Sequence, residues 1–275
     1  MPKSDKHRIL IFGASGFLGN SLYKELCPYF NTFGTYKTSK REFEKNKHFF
    51  QYDIEEDDVF EILNAVKPTL IISALRGDFS AQTIAHSHML EYIKEKKIKF
   101  IFLSSANVFD AYSKYPSYEN DKTLSHSVYG HFKIKIENML MRIPKKQIVI
   151  ARLPMVFGSH SPRISELRQA LKEGESIEVF PNLIMNVTTD SKLTQQIHYI
   201  INRNKSGVFH LGSNDLVHHD DFIKEILNSL GSMNPILKRV YTTNDDRYLA
   251  VLPQENLLPK HLQLYSHEIL KELEV

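Results

Sequence analysis

A glycine-spaced turn close to the amino terminus constrains this chain more than any other feature. Arg8-Ile9-Leu10-Ile11-Phe12 is a short apolar run of strand formers, and Gly13-Ala14-Ser15-Gly16-Phe17-Leu18-Gly19 follows it at once. From Phe17 to about Leu26 the apolar spacing turns helical. A strand that turns on glycine into a helix offers the first backbone amides of that helix, and the positive end of its dipole, to a phosphate above the turn. In the spacing Gly-x-x-Gly-x-x-Gly, Gly13 allows the sharp turn, Gly16 lets backbone approach a pyrophosphate, and Gly19 lets the helix pack close to the strand. Gly13, Ser15, Gly16, Phe17, Leu18 and Gly19 are therefore the expected cradle of a dinucleotide cofactor.

The same alternation continues down the chain. Further strands are expected over residues 32–36, 48–52, 70–73, 99–103 and 148–151, with helices over 57–66, 81–96 and 127–142. Most of these strands are apolar throughout, as strands buried on both faces are. Strands alternating with helices through right-handed crossovers give an α/β fold, a Rossmann-type doubly wound parallel sheet. Beyond Phe157 the pattern loosens. Helices are expected over 163–172, 193–201 and 222–230, and strands over 177–180 and 208–211. The expected division is a cofactor-binding Rossmann domain over 1–155 and a smaller C-terminal substrate lobe over 156–275, with a segment near 183–212 returning to the sheet.

The end of the second strand speaks to the cofactor. An NAD site usually places a carboxylate there to hold the ribose 2′-hydroxyl. This chain has Tyr36-Lys37-Thr38-Ser39-Lys40-Arg41, which is basic and hydroxylated. A 2′-phosphate fits that environment, so NADP(H) is the expected cofactor, with Lys37 beside the phosphate and NAD(H) as the second possibility.

Tyr129-Gly130-His131-Phe132-Lys133 places a phenol and an ammonium four residues apart, on one face of a helix. A nearby ammonium stabilises a phenolate and eases proton transfer from the tyrosine. Ser104 and Ser105 lie at the end of the fifth strand, where a hydroxyl can hold a substrate oxygen beside that phenol.

Together, the Gly13 turn, the Ser104-Ser105 strand end, the Tyr129/Lys133 pair and Arg152-Leu153-Pro154-Met155-Val156-Phe157-Gly158 resemble the extended short-chain dehydrogenase/reductase family over roughly residues 7–230. Val108-Phe109-Asp110 and the compact length are most similar to its dTDP-4-dehydrorhamnose reductase branch. The resemblance implies an oxidoreductase that reduces a nucleotide-linked 4-keto-deoxy sugar with NADPH, with Ser105, Tyr129 and Lys133 as the triad. It also implies that Asp53 and Ile54 meet adenine, and that Ser73, Ala74 and Leu75 lie over the pyrophosphate and ribose. Arg76, Asn107 and Arg163 are candidate substrate contacts, with Asn182 and Asn186 in the same region. Two departures stand out. Ala106-Asn107 replaces the branch's usual Asp-Tyr, and the fourth helix offers His86 and Ser87 where the family often has a relay Asn. A nucleotide-sugar epimerase on the same fold, or a cofactor-binding regulatory subunit without turnover, is the alternative.

Composition excludes several other classes. The 275 residues are 42% hydrophobic and 24% charged, with a net charge of +3, and the basic residues are interleaved with acidic ones, which argues against nucleic acid. No run reaches the roughly 20 apolar residues of a membrane span. A polar amino end and a single cysteine, Cys27, point to a reducing cytoplasm. No metal is expected. His86 and His88 lie on different helix faces, and His218-His219-Asp220-Asp221 reads as a polar turn capping the helix from Phe222. A homodimer is compatible with all of this.

Overall fold

A computed structural model describes residues 4–38, 40–94, 96–232 and 234–273. Ser39 of the basic loop and Glu95 lie outside them. In chain order the first half runs β1 (Ser4–Phe12), α1 (Phe17–Leu26), β2 (Phe30–Tyr36), α2 (Arg41–Glu44), β3 (Phe49–Gln51), α3 (Val59–Val66), β4 (Leu70–Ser73), α4 (Phe79–Lys94), β5 (Lys99–Ser105), α5 (Val128–Leu140) and β6 (Ile148–Leu153). The second half adds β7 (Met155–Phe157), α6 (Pro162–Glu173), β8 (Ile177–Val179), β9 (Leu183–Met185), β10 (Val187–Thr189), α7 (Asp190–Asn202), β11 (Gly207–His210), β12 (Val217–His218), α8 (His219–Ser229), β13 (Leu237–Arg239), β14 (Arg247–Leu249) and α9 (Ser266–Leu273).

Seven strands form one sheet in the order β11-β6-β5-β4-β1-β2-β3. β1 pairs in parallel with both β2 and β4, β2 with β3, and β4 with β5. The chain starts mid-sheet, winds outward through β2 and β3, crosses back to β4 and continues in the other direction. The reversal falls between β1 and β4, and doubly wound sheets bind ligands at the carboxyl edge of such a switch point.

Two compact units emerge. One holds the chain up to Ser104, His131–Ala151 and Ile197–Val208; the other holds Ser105–Gly130, Arg152–Gln196 and Phe209 onward. The long connection after β5, residues 105–130, groups with the second unit, and the two units are close to equal in length. Residues 197–208 group with the first unit and lead into β11 at the sheet edge.

The first unit's core explains its helices. Val59, Ile62, Leu63 and Val66 recur at helical spacing on α3 and are buried. The Asp58 carboxylate caps that helix by accepting from Phe60 N at 2.9 Å. Its apolar face joins one cluster with Met89 and Ile93 of α4, Phe132, Ile136 and Leu140 of α5, and the β4 and β5 interior. Each such buried side chain contributes about 1.5–3 kcal/mol. The second unit has its own core, built from Phe157, Ile164, Val179, Val187, Phe222, Ile226 and Ile269 among others. Ser161 caps α6 by accepting from Ile164 N, and Gly174 ends it at φ +67. No helix among the described residues is long and apolar enough to cross a membrane.

Candidate functional site

The glycine turn sits at the switch point. Phe12 and Ser73 are register partners, so the turn after β1 and the segment after β4 leave the sheet side by side. Gly13 has φ +78, and a methyl there would lie 2.6 Å from the Ala74 carbonyl oxygen. On Gly19 a methyl would lie 2.1 Å from the Gly13 carbonyl oxygen, so α1 packs on the turn only because Gly19 lacks a side chain. β2 holds the loop from the other side. Gly13 N donates to Thr35 Oγ1 at 2.9 Å and Ser15 N to the Thr35 carbonyl at 3.2 Å. Gly16 then precedes the first turn of α1, where an added methyl would meet only the Gly13 carbonyl, at 3.4 Å. Phe17 and Leu18 open the helix.

The structure brings Ala74 and Leu75 to this turn but gives Ser73 another task. Ser73 is buried, with its hydroxyl 2.8 Å from His86 Nε2. Its backbone lies by the turn while its side chain faces the core. Arg76 follows on the surface, and the Ile54 side chain approaches Gly77 at half-buried depth. Lys37 and Asp53 meet each other at 3.0 Å, and Lys37 reaches Glu55 at 3.5 Å. The Glu55 amide and the Lys37 ammonium hold the Asp53 carboxyl below its usual range, and Asp53 in turn raises Lys37. The lysine expected to await a phosphate thus already has two anionic partners.

A second group gathers at the end of β5. Ser105 caps a short 3-10 turn over Ala106–Phe109; its hydroxyl donates to Asn107 Oδ1 at 2.9 Å and accepts from Asn107 N at 3.2 Å. Asn107, expected to touch substrate, holds the Ser105 side chain. The start of α5 presses on this turn. A methyl on Gly130 would lie 2.3 Å from the Asn107 carbonyl oxygen and 2.0 Å from Ser125 Oγ. Tyr129 is therefore carried next to the Ser105–Asn107 segment, with 39% of its surface exposed. Asp110, quoted above only as a branch marker, fixes the entry to this helix. It accepts from His126 N at 2.6 Å and Ser127 Oγ at 2.5 Å, and these bonds outweigh its burial and lower its pKa.

Lys133 lies one turn beyond Tyr129 on α5. Its Nζ donates to the Leu103 carbonyl at 2.8 Å and sits 4.5 Å above the Phe102 ring centre. Burial pushes its pKa down to about 8, against the Glu137 carboxylate, which raises it. His86 is also buried; burial first, and the Lys133 charge in addition, bring it down to about 4 despite the Gln82 carbonyl 2.5 Å from Nδ1.

The remaining substrate candidates lie in the second unit. Arg163 is half-buried near the start of α6, its pKa lowered by burial. It lies close enough to His219 to help depress that residue to about 4, after burial and against Asp220. Asn186 is fully buried: it donates to the Ser213 and Val251 carbonyls and accepts from Val251 N, so it serves the fold of its unit. Asn182 donates to the Thr243 carbonyl. α8 begins at His219, not Phe222, and its capping position, His218, makes no side-chain cap bond. Cys27 ends α1 half-buried. Among the described residues, no group of three or more His, Cys, Asp or Glu side chains could hold a metal ion.

The RmlD substrate binding domain family matches residues 7–261. The chain belongs to this family. It is the dTDP-4-dehydrorhamnose reductase branch of the extended short-chain dehydrogenase/reductases that the motifs resembled. The RmlD match opens at the residue before Arg8 in β1 and runs past β14, so it takes in segments of both units. A dTDP-4-dehydrorhamnose reductase from Aggregatibacter actinomycetemcomitans is 25% identical over 275 residues, 91% of this chain and 90% of that one. In fold, the chain is similar to a Bacillus anthracis dTDP-glucose 4,6-dehydratase solved with NAD (TM-score 0.79, 15% identity, 97% and 94% of the two chains). It is also similar to a Bacillus anthracis dTDP-4-dehydrorhamnose reductase solved with NADP (TM-score 0.75, 20% identity, 98% of both chains).

Proposed function

We propose that this protein is an NADPH-dependent reductase of a nucleotide-linked 4-keto-deoxy sugar. One observation carries the reading: Gly130 lacks a side chain and presses against the Asn107 carbonyl, which carries Tyr129 to the Ser105 turn, with Lys133 one helical turn further along α5. The curated relative is a dTDP-4-dehydrorhamnose reductase, which supports the substrate class.

The Gly13–Gly19 turn fits a dinucleotide, because its backbone has no side chain where a pyrophosphate would approach and the amino end of α1 opens beside it. Ala74 and Leu75 would cover the pyrophosphate, and Asp53, Ile54 and Lys37 would meet the adenosine end. When bound, the reduced nicotinamide supplies the hydride. Tyr129 gives its phenolic proton to the substrate's carbonyl oxygen, the Lys133 ammonium stabilises the phenolate left behind, and the Ser105 hydroxyl holds the same carbonyl oxygen. Ser105 must turn from Asn107 to do so, since its proton is already directed at Oδ1. The Lys37–Asp53 pair also favours some use of NAD(H), because the ammonium's charge is partly spent before any phosphate arrives.

The test is NADPH and NADH oxidation over a panel of nucleotide-linked 4-keto sugars, with Tyr129→Phe alongside. The expected result is turnover favouring NADPH that falls by about 10²–10⁴ in the variant while NADPH binding persists. Undiminished turnover in Tyr129→Phe, or tight NADPH binding with no substrate reduced, overturns the proposal.

A further inference from the structure

Three consecutive residues of β5 hold α5 before the chain reaches Ser105. The Phe102 ring lies under the Lys133 ammonium, the Leu103 carbonyl accepts from Lys133 Nζ at 2.8 Å, and the Ser104 hydroxyl donates to Glu137 Oε1 at 2.5 Å. Glu137 is one turn beyond Lys133 on the same helix and only 1% exposed, and Ser104 is 3% exposed. A carboxylate this deep is costly unless it is bonded and opposed by a cation. Nothing in the proposed proton transfer uses it.

We propose that Glu137 is a positioning residue: with Ser104 it sets the register of α5 against the end of β5, and it supplies the buried counter-charge that keeps the Lys133 ammonium protonated. This rests on the reading of Lys133 as the partner of Tyr129. Charged, titratable and polar groups come to Lys133 from three elements among the described residues. Glu137 and Tyr129 share its helix, α4 contributes His86, and β5 offers the Leu103 carbonyl and the Ser104 hydroxyl. His86 is depressed to about 4 and so is neutral near pH 7, which leaves Glu137 as the opposing charge. The two tethers differ in kind. Lys133 to Leu103 ties a charge to backbone; Ser104 to Glu137 ties backbone position to a charge. One Glu137 side chain therefore fixes where Lys133 stands and whether it stays protonated.

The experiment separates these roles with Glu137→Gln and Ser104→Ala in the full chain. Glutamine keeps the shape and an oxygen for Ser104 but removes the charge; alanine keeps the charge but removes the tether. The Lys133 Cε signal is followed by carbon-13 NMR against pH, assigned with Lys133→Met, and the pH profile of NADPH oxidation is recorded in parallel. Glu137→Gln is expected to move the Lys133 titration, and the alkaline limb of kcat, about one unit toward acid. Ser104→Ala is expected to lower kcat with KM and the position of that limb unchanged. If Glu137→Gln lowers thermal stability but leaves both the titration and the limb in place, Glu137 is merely structural and the proposal falls. The NMR titration needs no substrate. A wild type that reduces nothing therefore defeats the proposed function, while an unmoved Lys133 defeats this inference.

Discussion

At Gly130 a methyl would lie 2.0 Å from Ser125 Oγ and 2.3 Å from the Asn107 carbonyl oxygen, both closer than real atoms approach. The second neighbour is backbone, so α5 itself must shift. Gly130→Ala should therefore cost about 1–3 kcal/mol and push Tyr129 off the Ser105 turn. Steady-state kinetics should show kcat falling by about tenfold or more, with NADPH affinity unchanged, because the glycine turn after β1 is untouched. The converse holds at Gly19, where a methyl would meet the Gly13 carbonyl at 2.1 Å. Gly19→Ala should weaken NADPH binding in a fluorescence titration and lower the melting temperature. Equal NADPH affinity in Gly19→Ala and the wild type would mean that the turn does not hold the cofactor.

Between elements, the sheet's carboxyl edge decides which side chains are available. Lys37 leaves β2 and Asp53 follows β3, and because those strands are neighbours the two side chains meet at 3.0 Å. Lys37→Ala should raise the NADPH dissociation constant by roughly tenfold, the worth of one hydrogen bond to a charged group, and leave that for NADH nearly unchanged. Asp53→Asn frees the ammonium and should shift preference further toward NADPH. Paired titrations with the two cofactors decide this, and equal losses for both in Lys37→Ala would remove the 2′-phosphate role. The same edge explains Ser73. Its neighbour Ala74 borders the glycine turn, but the hydroxyl turns inward to His86.

At the scale of the whole molecule, three buried histidines among the described residues are expected to weaken the fold in acid. Burial depresses His86 to about 4, His219 to about 4 and His210 to about 3, the last with help from Arg152. Their unfolded values lie near 6.5. Between about pH 6.5 and 4 the unfolded chain therefore binds protons that the folded chain refuses, so stability is full above 6.5 and is lost as pH falls. The penalty is about 3 kcal/mol per histidine at the acid end of that window. The melting temperature should drop steadily from pH 6.5 to 4, and His86→Gln should flatten that slope even if it lowers the melting temperature at pH 7. A variant with the wild-type slope would show that His86 takes up a proton in the folded state.

The sequence by itself determined the doubly wound sheet, because its strands are apolar on both faces and its helices repeat at a clear period. β4, α1 and the Gly13 turn appear where that pattern put them, and other boundaries moved by a few residues. Local spacing marked Ser105, Tyr129 and Lys133 as candidates, and the family resemblance joined them as a triad. Strands β7, β9, β10 and β12–β14 and helix α2 were not legible, since two to four residues carry no periodicity. What only the tertiary structure decided is which polar side chains are already spent. Asn186 closes hydrogen bonds inside its unit, Lys37 meets Asp53, and Glu137 joins Ser104 across 33 residues. Partners so distant in sequence share no local signal. Lys37 and Asp53 meet at the surface because β2 and β3 are neighbours, while Asn186 and Glu137 find their partners in a dry interior, where a polar group without a partner is costly.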